Sequence, residues 1–172
     1  MSERTVTFKG NPVPLCGAGV SVGDAAPEFS ATAGDLSQKT LADYAGKVVV
    51  ISAVPSLDTP VCDTETRRFN EEAGKLGDGV AVLTVSADLP FAQGRWCGAA
   101  GVENVTTLST FPESNFGDAF GLTIADGALK GLLARAVYVV NKEGNISYGE
   151  LVPEIAQEPD YDAAIEAVKA AS

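Results

Sequence analysis

The chain has no histidine among its 172 residues. Ser-His-Asp and Cys-His catalysis, histidine metal sites and histidine haem ligation are thereby excluded. Cysteine is scarce: three residues, with no Cys-x-x-Cys pair to clasp zinc and too few for a disulfide scaffold. Basic residues are also few. Twelve Lys and Arg against 23 Asp and Glu give a formal charge of −11, which repels phosphate backbones and anionic membranes, so neither nucleic acid nor a membrane is an expected partner. No apolar run approaches the ~18 residues of a membrane span, and Met1-Ser2-Glu3-Arg4-Thr5 has no apolar signal core. A phosphate-binding loop is missing, and Gly17, Gly19 and Gly23 lack the dinucleotide spacing, so the sequence indicates no cofactor and no metal.

What is present reads as a cytoplasmic globular protein. Hydrophobic residues make up 45% of the chain, which argues against disorder, and the length suits one domain, residues 1–172, around a single core. An odd set of three cysteines fits a reducing compartment in which some of the thiols react.

Alternating Thr5-Val6-Thr7-Phe8 and Val13-Pro14-Leu15 about Gly10-Asn11 predict an N-terminal β-hairpin. Continuous apolar runs at 48–54 and 80–85 flank a helical pattern from about Cys62 to Leu76, the signature of a βαβ unit with a buried parallel sheet. A second helix is predicted over 89–100 and a short strand near 105–108. Residues 117–131 read as short helix and loop. The runs 136–140 and 146–152 about Lys142-Glu143-Gly144-Asn145 predict a second hairpin. Asp160 is placed to cap a last helix with Tyr161, Ile165 and Val168 on one apolar face. Mixed strand order with flanking helices points to an α/β fold, a thioredoxin-like three-layer sandwich with a mixed central sheet.

Cys62 stands where a buried strand runs through the proline-bounded loop Pro55-Ser56-Leu57-Asp58-Thr59-Pro60 into a helix. The positive end of that helix faces the sulfur, an arrangement that favours a thiolate, the reactive form of cysteine. Cys62, Phe69, Ala73 and Leu76 share an inward stripe, while Arg67, Arg68, Glu71, Glu72 and Lys75 face out. Burial disfavours a thiolate, so a working nucleophile here also needs a cation and hydrogen-bond donors. From position alone, a packed core cysteine is an equally good reading. Asp63 and Glu65, beside the thiol, are expected to face solvent and favour the helix dipole.

Cys97 lies in Leu89-Pro90-Phe91-Ala92-Gln93-Gly94-Arg95-Trp96-Cys97-Gly98-Ala99-Ala100-Gly101, where each of three glycines costs a helix about 1 kcal/mol relative to alanine. The segment opens cheaply, and a bond from it to a thiol on another helix would need local unwinding. The plainer reading is a weak helix kept for packing with Cys97 inert. Cys16, in Leu15-Cys16-Gly17, reads as a small packed residue. Arg135, at the mouth of the run 136–140, needs a buried anion or an exit to solvent.

The segment Ser86-x-Asp88-Leu89-Pro90-Phe91-Ala92-x-x-Arg95-Trp96-Cys97 resembles the resolving-cysteine signature of the thiol peroxidases, an atypical 2-Cys branch of the peroxiredoxins. Pro55-x-x-x-Thr59-x-x-Cys62 resembles the general peroxiredoxin motif, and Ser56-Leu57-Asp58-Thr59-Pro60-Val61-Cys62 the version of this branch. Likeness continues through Leu108-Ser109-Thr110-Phe111, Ile124-Ala125-Asp126-Gly127, Leu133-Ala134-Arg135-Ala136-Val137 and Glu158-Pro159-Asp160-Tyr161, nearly the whole chain. The resemblance implies an enzyme that reduces hydrogen peroxide and alkyl or lipid hydroperoxides in antioxidant defence. Cys62 would attack the peroxide and become a sulfenic acid. Cys97 would resolve it as an intramolecular disulfide, and thioredoxin would restore the dithiol. By matching position, Thr59 would hydrogen-bond sulfur and peroxide, Pro55 would shield the pocket, and Arg135 would stabilise the thiolate and transition state. A homodimer is also implied. The other reading kept open is a peroxide sensor or thiol relay with little turnover.

Overall fold

The computed structural model describes residues 4–172, so Met1, Ser2 and Glu3, with the expectation that they open no signal segment, lie outside the described residues. Strands β1 (Thr5–Phe8) and β2 (Asn11–Pro14) form the N-terminal hairpin. Its turn is Lys9-Gly10, one residue earlier than the sequence indicated. Both residues have positive φ, 52° and 78°, as the type I′ turn of a two-residue hairpin demands.

The main sheet has seven strands in the order β4-β3-β7-β6-β5-β8-β9. They are β3 (Ser30–Ala33), β4 (Gln38–Thr40), β5 (Val48–Ala53), β6 (Val80–Ser86), β7 (Thr106–Ser109), β8 (Ala136–Val140) and β9 (Ile146–Leu151). The central trio β5, β6 and β7 is parallel, and the remaining pairings are antiparallel. The βαβ unit, the second hairpin and the mixed sheet follow the sequence reading. Strands β3 and β4 do not appear in it.

Because side chains alternate along a strand, each buried strand feeds both faces of the sheet. Val48, Val50 and Val54 with Val137 and Val139 meet the helices α1 (Pro60–Leu76), α2 (Pro90–Ala100) and α4 (Tyr161–Ala171) through Phe69, Trp96 and Val168. On the opposite face Val49, Ile51, Ala53 and Tyr138 pack against Phe29, Leu122 and the short helix α3 (Phe116–Ala119). Three layers result. The predicted cap of the last helix is in place, with Asp160 Oδ1 accepting from the Ala163 amide at 3.0 Å, and Tyr161 sets its ring edge-on to Phe69 at 5.4 Å. No helix among the described residues is long and apolar enough to cross a membrane.

Candidate active site

The chain leaves β5 through buried Val54 and Pro55, turns at 56–59 and enters α1 at Pro60. Proline suits this first helical position, since its missing N–H would have had no intrahelical partner. Cys62 is the third residue of the 17-residue helix, within the first turn whose amides carry the positive end of the dipole. The turn is held from below. Asp88 accepts from Ser56 Oγ at 2.7 Å, from the Leu57 amide at 2.8 Å and from Ser86 Oγ at 2.7 Å, tying the loop to the end of β6.

The Cys62 side chain has 0% exposure, and Arg135 Nη2 donates to its sulfur at 3.3 Å. Arg135 is itself only 2% exposed. Its Nη1 pairs with Glu65 Oε2 at 2.6 Å and its Nε donates to the Ile155 carbonyl at 2.9 Å. Three fixed partners orient the guanidinium, so one edge is always presented to the sulfur. Burial pulls the Arg135 pKa down, but Glu65 and Cys62 outweigh it and leave it above its ordinary value. Glu65 has 0% exposure and is completed by Ser52 Oγ, which donates to Oε1 at 2.9 Å. Burial pushes its carboxyl up to about 7, because two donors do not replace the hydration a carboxylate loses, and Arg135 recovers only part.

These positions correct the expectation for Glu65. It does not face solvent: lying three residues after Cys62 and four before Phe69, it falls on the inward face of α1, with Thr66 beside it. Asp63 also differs from expectation. It is only partly exposed, and its carboxylate turns away from the sulfur, accepting from Trp96 Nε1 at 2.8 Å and Arg67 Nε at 2.9 Å.

A groove of about 410 Å³ leads down to Arg135. Phe8, Val61, Leu129, Leu132 and Ile155 give it apolar walls, with Pro55, Ser56, Thr59 and Pro60 beside the loop. Cys62 does not line it. Thr59 is exposed at the rim and donates its hydroxyl to the Ser56 carbonyl at 2.7 Å rather than to the sulfur. Glu154 joins the hairpin to this wall, accepting from Thr7 Oγ1 at 2.7 Å and from the Lys9 and Gly10 amides at 3.0 and 3.2 Å. Thr7 first, then the Ala156 amide at 3.2 Å and the Gly10 and Lys9 amides, hold its carboxyl down at about 2.

Cys97 is half-buried on α2, with its sulfur 3.9 Å from Thr107 Oγ1, and burial pushes its thiol pKa up. It is not bonded to Cys62: Cys16, Cys62 and Cys97 are all free. Cys16 is half-buried, and its amide donates to the Thr123 carbonyl at 2.8 Å. Among the described residues no group of three or more Cys, Asp or Glu is arranged to hold a metal ion.

Residues 21–165 match the redoxin family. Over 165 residues the chain is 54% identical to a thiol peroxidase of Bacillus subtilis, covering 96% of both proteins. A thiol peroxidase of Halalkalibacterium halodurans is 56% identical over 167 residues, 97% of this chain and 98% of the relative. The chain belongs to the redoxin family, among its thiol peroxidases. The same architecture is found in a crystal structure of a peroxiredoxin-like protein from Aquifex aeolicus, with a TM-score of 0.93, 48% identity and 98% of each chain covered. Within the redoxin fold, then, the Cys62–Arg135–Glu65 cluster sits at the first turn of α1, the helix that follows β5.

Proposed function

We propose that this protein is a thiol-dependent peroxidase in which Cys62 takes an oxygen from a hydroperoxide and Cys97 removes it. The carrying observation is that Arg135 donates to the buried Cys62 sulfur while also lining an apolar groove open to solvent. A guanidinium so fixed stabilises negative charge on the sulfur before reaction and on the departing oxygen during it. The walls formed by Phe8, Leu129, Leu132 and Ile155 suit the hydrocarbon part of an alkyl or lipid hydroperoxide, and hydrogen peroxide enters the same way.

The Cys62 thiolate attacks the terminal peroxide oxygen. The O–O bond breaks as the S–O bond forms, and the alkoxide or hydroxide takes a proton and leaves as alcohol or water. Cys62 has no exposed surface, so Thr59 and Val61 must part slightly to admit the peroxide. Thr59 then turns its hydroxyl from the Ser56 carbonyl to the reacting oxygens. Pro55, buried beneath, keeps water from the sulfur. Cys97 condenses with the sulfenic acid, and a thioredoxin-type dithiol reduces the disulfide by exchange.

An odd set of three cysteines suits a reducing, cytoplasmic location. Exposed Leu89, Phe91 and Phe111, at the start of α2 and the end of β7, offer an apolar surface for a homodimer of these single-domain chains. The test is intact-mass analysis and disulfide mapping of the reduced protein after one equivalent of cumene hydroperoxide. Prompt loss of about two daltons mapped to Cys62 and Cys97 is expected for a thiol pair becoming a disulfide. No prompt change removes the peroxidase reading.

A further inference from the structure

Asp63 follows Cys62 in the chain, Trp96 precedes Cys97, and one hydrogen bond joins the two neighbours: Trp96 Nε1 donates to Asp63 Oδ1 at 2.8 Å. The other carboxylate oxygen of Asp63 is held by Arg67 Nε at 2.9 Å. Arg67 in turn covers the Trp96 ring at 5.7 Å and donates through Nη1 to the carbonyl of Ala100, in the last turn of α2, at 3.3 Å. Two side chains one helical turn apart on α1 therefore grip α2 at its middle and its C-terminal end.

Helix α2 has little of its own to hold it. No side chain caps its N-terminus, and Gly94 and Gly98 lie in its interior with open space where a Cβ would stand, so packing does not require glycine there. Each costs a helix roughly 1 kcal/mol against alanine. It ends at Gly101, whose φ of 68° is the left-handed conformation that stops a helix. Cys97 rides on this weak helix, half-buried, while Cys62 lies fully buried on another. The Cys97 sulfur lies against Thr107 on β7, the Cys62 sulfur is held by Arg135 just before β8, and β6 and β5 stand between those strands. The sulfurs therefore meet only if α2 unwinds, which pulls Trp96 off Asp63.

We infer that Asp63 is a positioning residue of the resolving half-reaction: braced by Arg67, it latches Trp96, and opening of that latch sets the rate at which Cys97 reaches the oxidised Cys62. The inference rests on the proposed peroxidase function. In the resolving step the Cys97 thiolate attacks the sulfur of the Cys62 sulfenic acid. The S–S bond forms, the S–O bond breaks, and the oxygen leaves with the thiol proton as water; the hydroperoxide has already supplied the oxidation. A closed latch prolongs the life of the sulfenic acid, during which a second hydroperoxide converts it to sulfinic acid. Asp63 thus sets how much peroxide the protein survives.

The decisive variants are Asp63→Ala and Trp96→Phe, the second keeping an aromatic ring for Arg67 to cover while deleting the N–H donor. Rapid acid quench and mass spectrometry after mixing with cumene hydroperoxide separate sulfenic acid, disulfide and sulfinic acid. Losing a hydrogen bond to a charged acceptor is expected to speed disulfide formation roughly tenfold. The rate of Cys62 oxidation stays unchanged, and a smaller fraction reaches sulfinic acid at equal peroxide. A merely structural role would not divide the two half-reactions in this way. Disulfide formation in Trp96→Phe at or below the rate of the unmodified protein overturns the latch, and this variant decides if Asp63→Ala fails to fold. No oxidation of Cys62 in the unmodified protein overturns the peroxidase reading itself, whereas sulfenic acid that never becomes a disulfide overturns Cys97 as the resolver; either result removes the latch.

Discussion

Glu65 and Arg135, 70 positions apart in the chain, meet at 2.6 Å in a pocket where neither has more than 2% exposure. The pair fixes the guanidinium that touches Cys62, and it leaves a titration signature. Burial raises the Glu65 carboxyl from an ordinary 4.5 to about 7. Between those values the folded state keeps a proton that the unfolded chain has released. The stabilisation is therefore complete below pH 4.5 and is lost as the pH rises towards 7, by roughly 3 kcal/mol across the window. Denaturant unfolding at pH 4.5, 5.5, 7 and 8 should show that slope in the unmodified protein and lack it in Glu65→Gln. Parallel curves for the two proteins would refute the assignment.

Arg135 serves three acceptors at once, the Cys62 sulfur, Glu65 and the Ile155 carbonyl. An ammonium on a flexible stem does not reproduce that fork. Arg135→Lys should slow peroxide oxidation of Cys62 by about a hundredfold, the scale of losing one preorganised donor to developing charge. Stopped-flow mixing with limiting hydroperoxide reads it directly. A rate within a few-fold of the unmodified protein would mean that positive charge alone suffices.

Thr59 is exposed, and its hydroxyl contacts only the Ser56 carbonyl, so Thr59→Val should change the unfolding midpoint little. Its rate of Cys62 oxidation should nevertheless fall by roughly tenfold or more if the hydroxyl turns to the peroxide in the transition state. Thr59→Ser, which restores the hydroxyl, should recover most of that loss. Equal rates for the valine and serine variants would remove Thr59 from the chemistry.

How much of this was legible from sequence depended on whether a signal was local. The run 48–54, the helix after it and the run 80–85 were plain because full burial leaves unbroken apolar strands around a patterned helix. Strands β3 and β4 were not, since Ser30-Ala31-Thr32-Ala33 and Gln38-Lys39-Thr40 carry no large apolar side chain and pair through distant partners such as Ser109. The Glu65 error had another source. Its spacing from Cys62 and Phe69 already placed it on the buried face of α1, and only its charge argued for solvent. A buried carboxylate demands a cation, and strand phase supplied one. Arg135 stands two residues before Val137, whose side chain packs on the helical face that carries Cys62. The two anomalies together pointed to one ion pair, whereas the contacts of Asp63 and Asp88 depend on how α1, α2 and β6 pack.

The closed state should also show in the chemistry of Cys97. Burial raises its thiol pKa above the ordinary 9.0, and the contact with Thr107 Oγ1 offsets only part of that. With the folded value raised, the thiolate fraction at any pH near neutrality is below that of a free cysteine, and it rises steadily with pH. Alkylation requires the thiolate. In Cys62→Ser, with Cys97 followed by peptide mass mapping, iodoacetamide labelling at pH 8 should be slower than for a free cysteine, because burial both raises the thiol pKa and restricts access to the sulfur. It should accelerate between pH 8 and 10, and accelerate at fixed pH in Trp96→Phe if α2 opens more often. Labelling at the free-cysteine rate in the otherwise unmodified helix would show that Cys97 is already available without unwinding, and that neither burial nor the contacts around Trp96 restrain it.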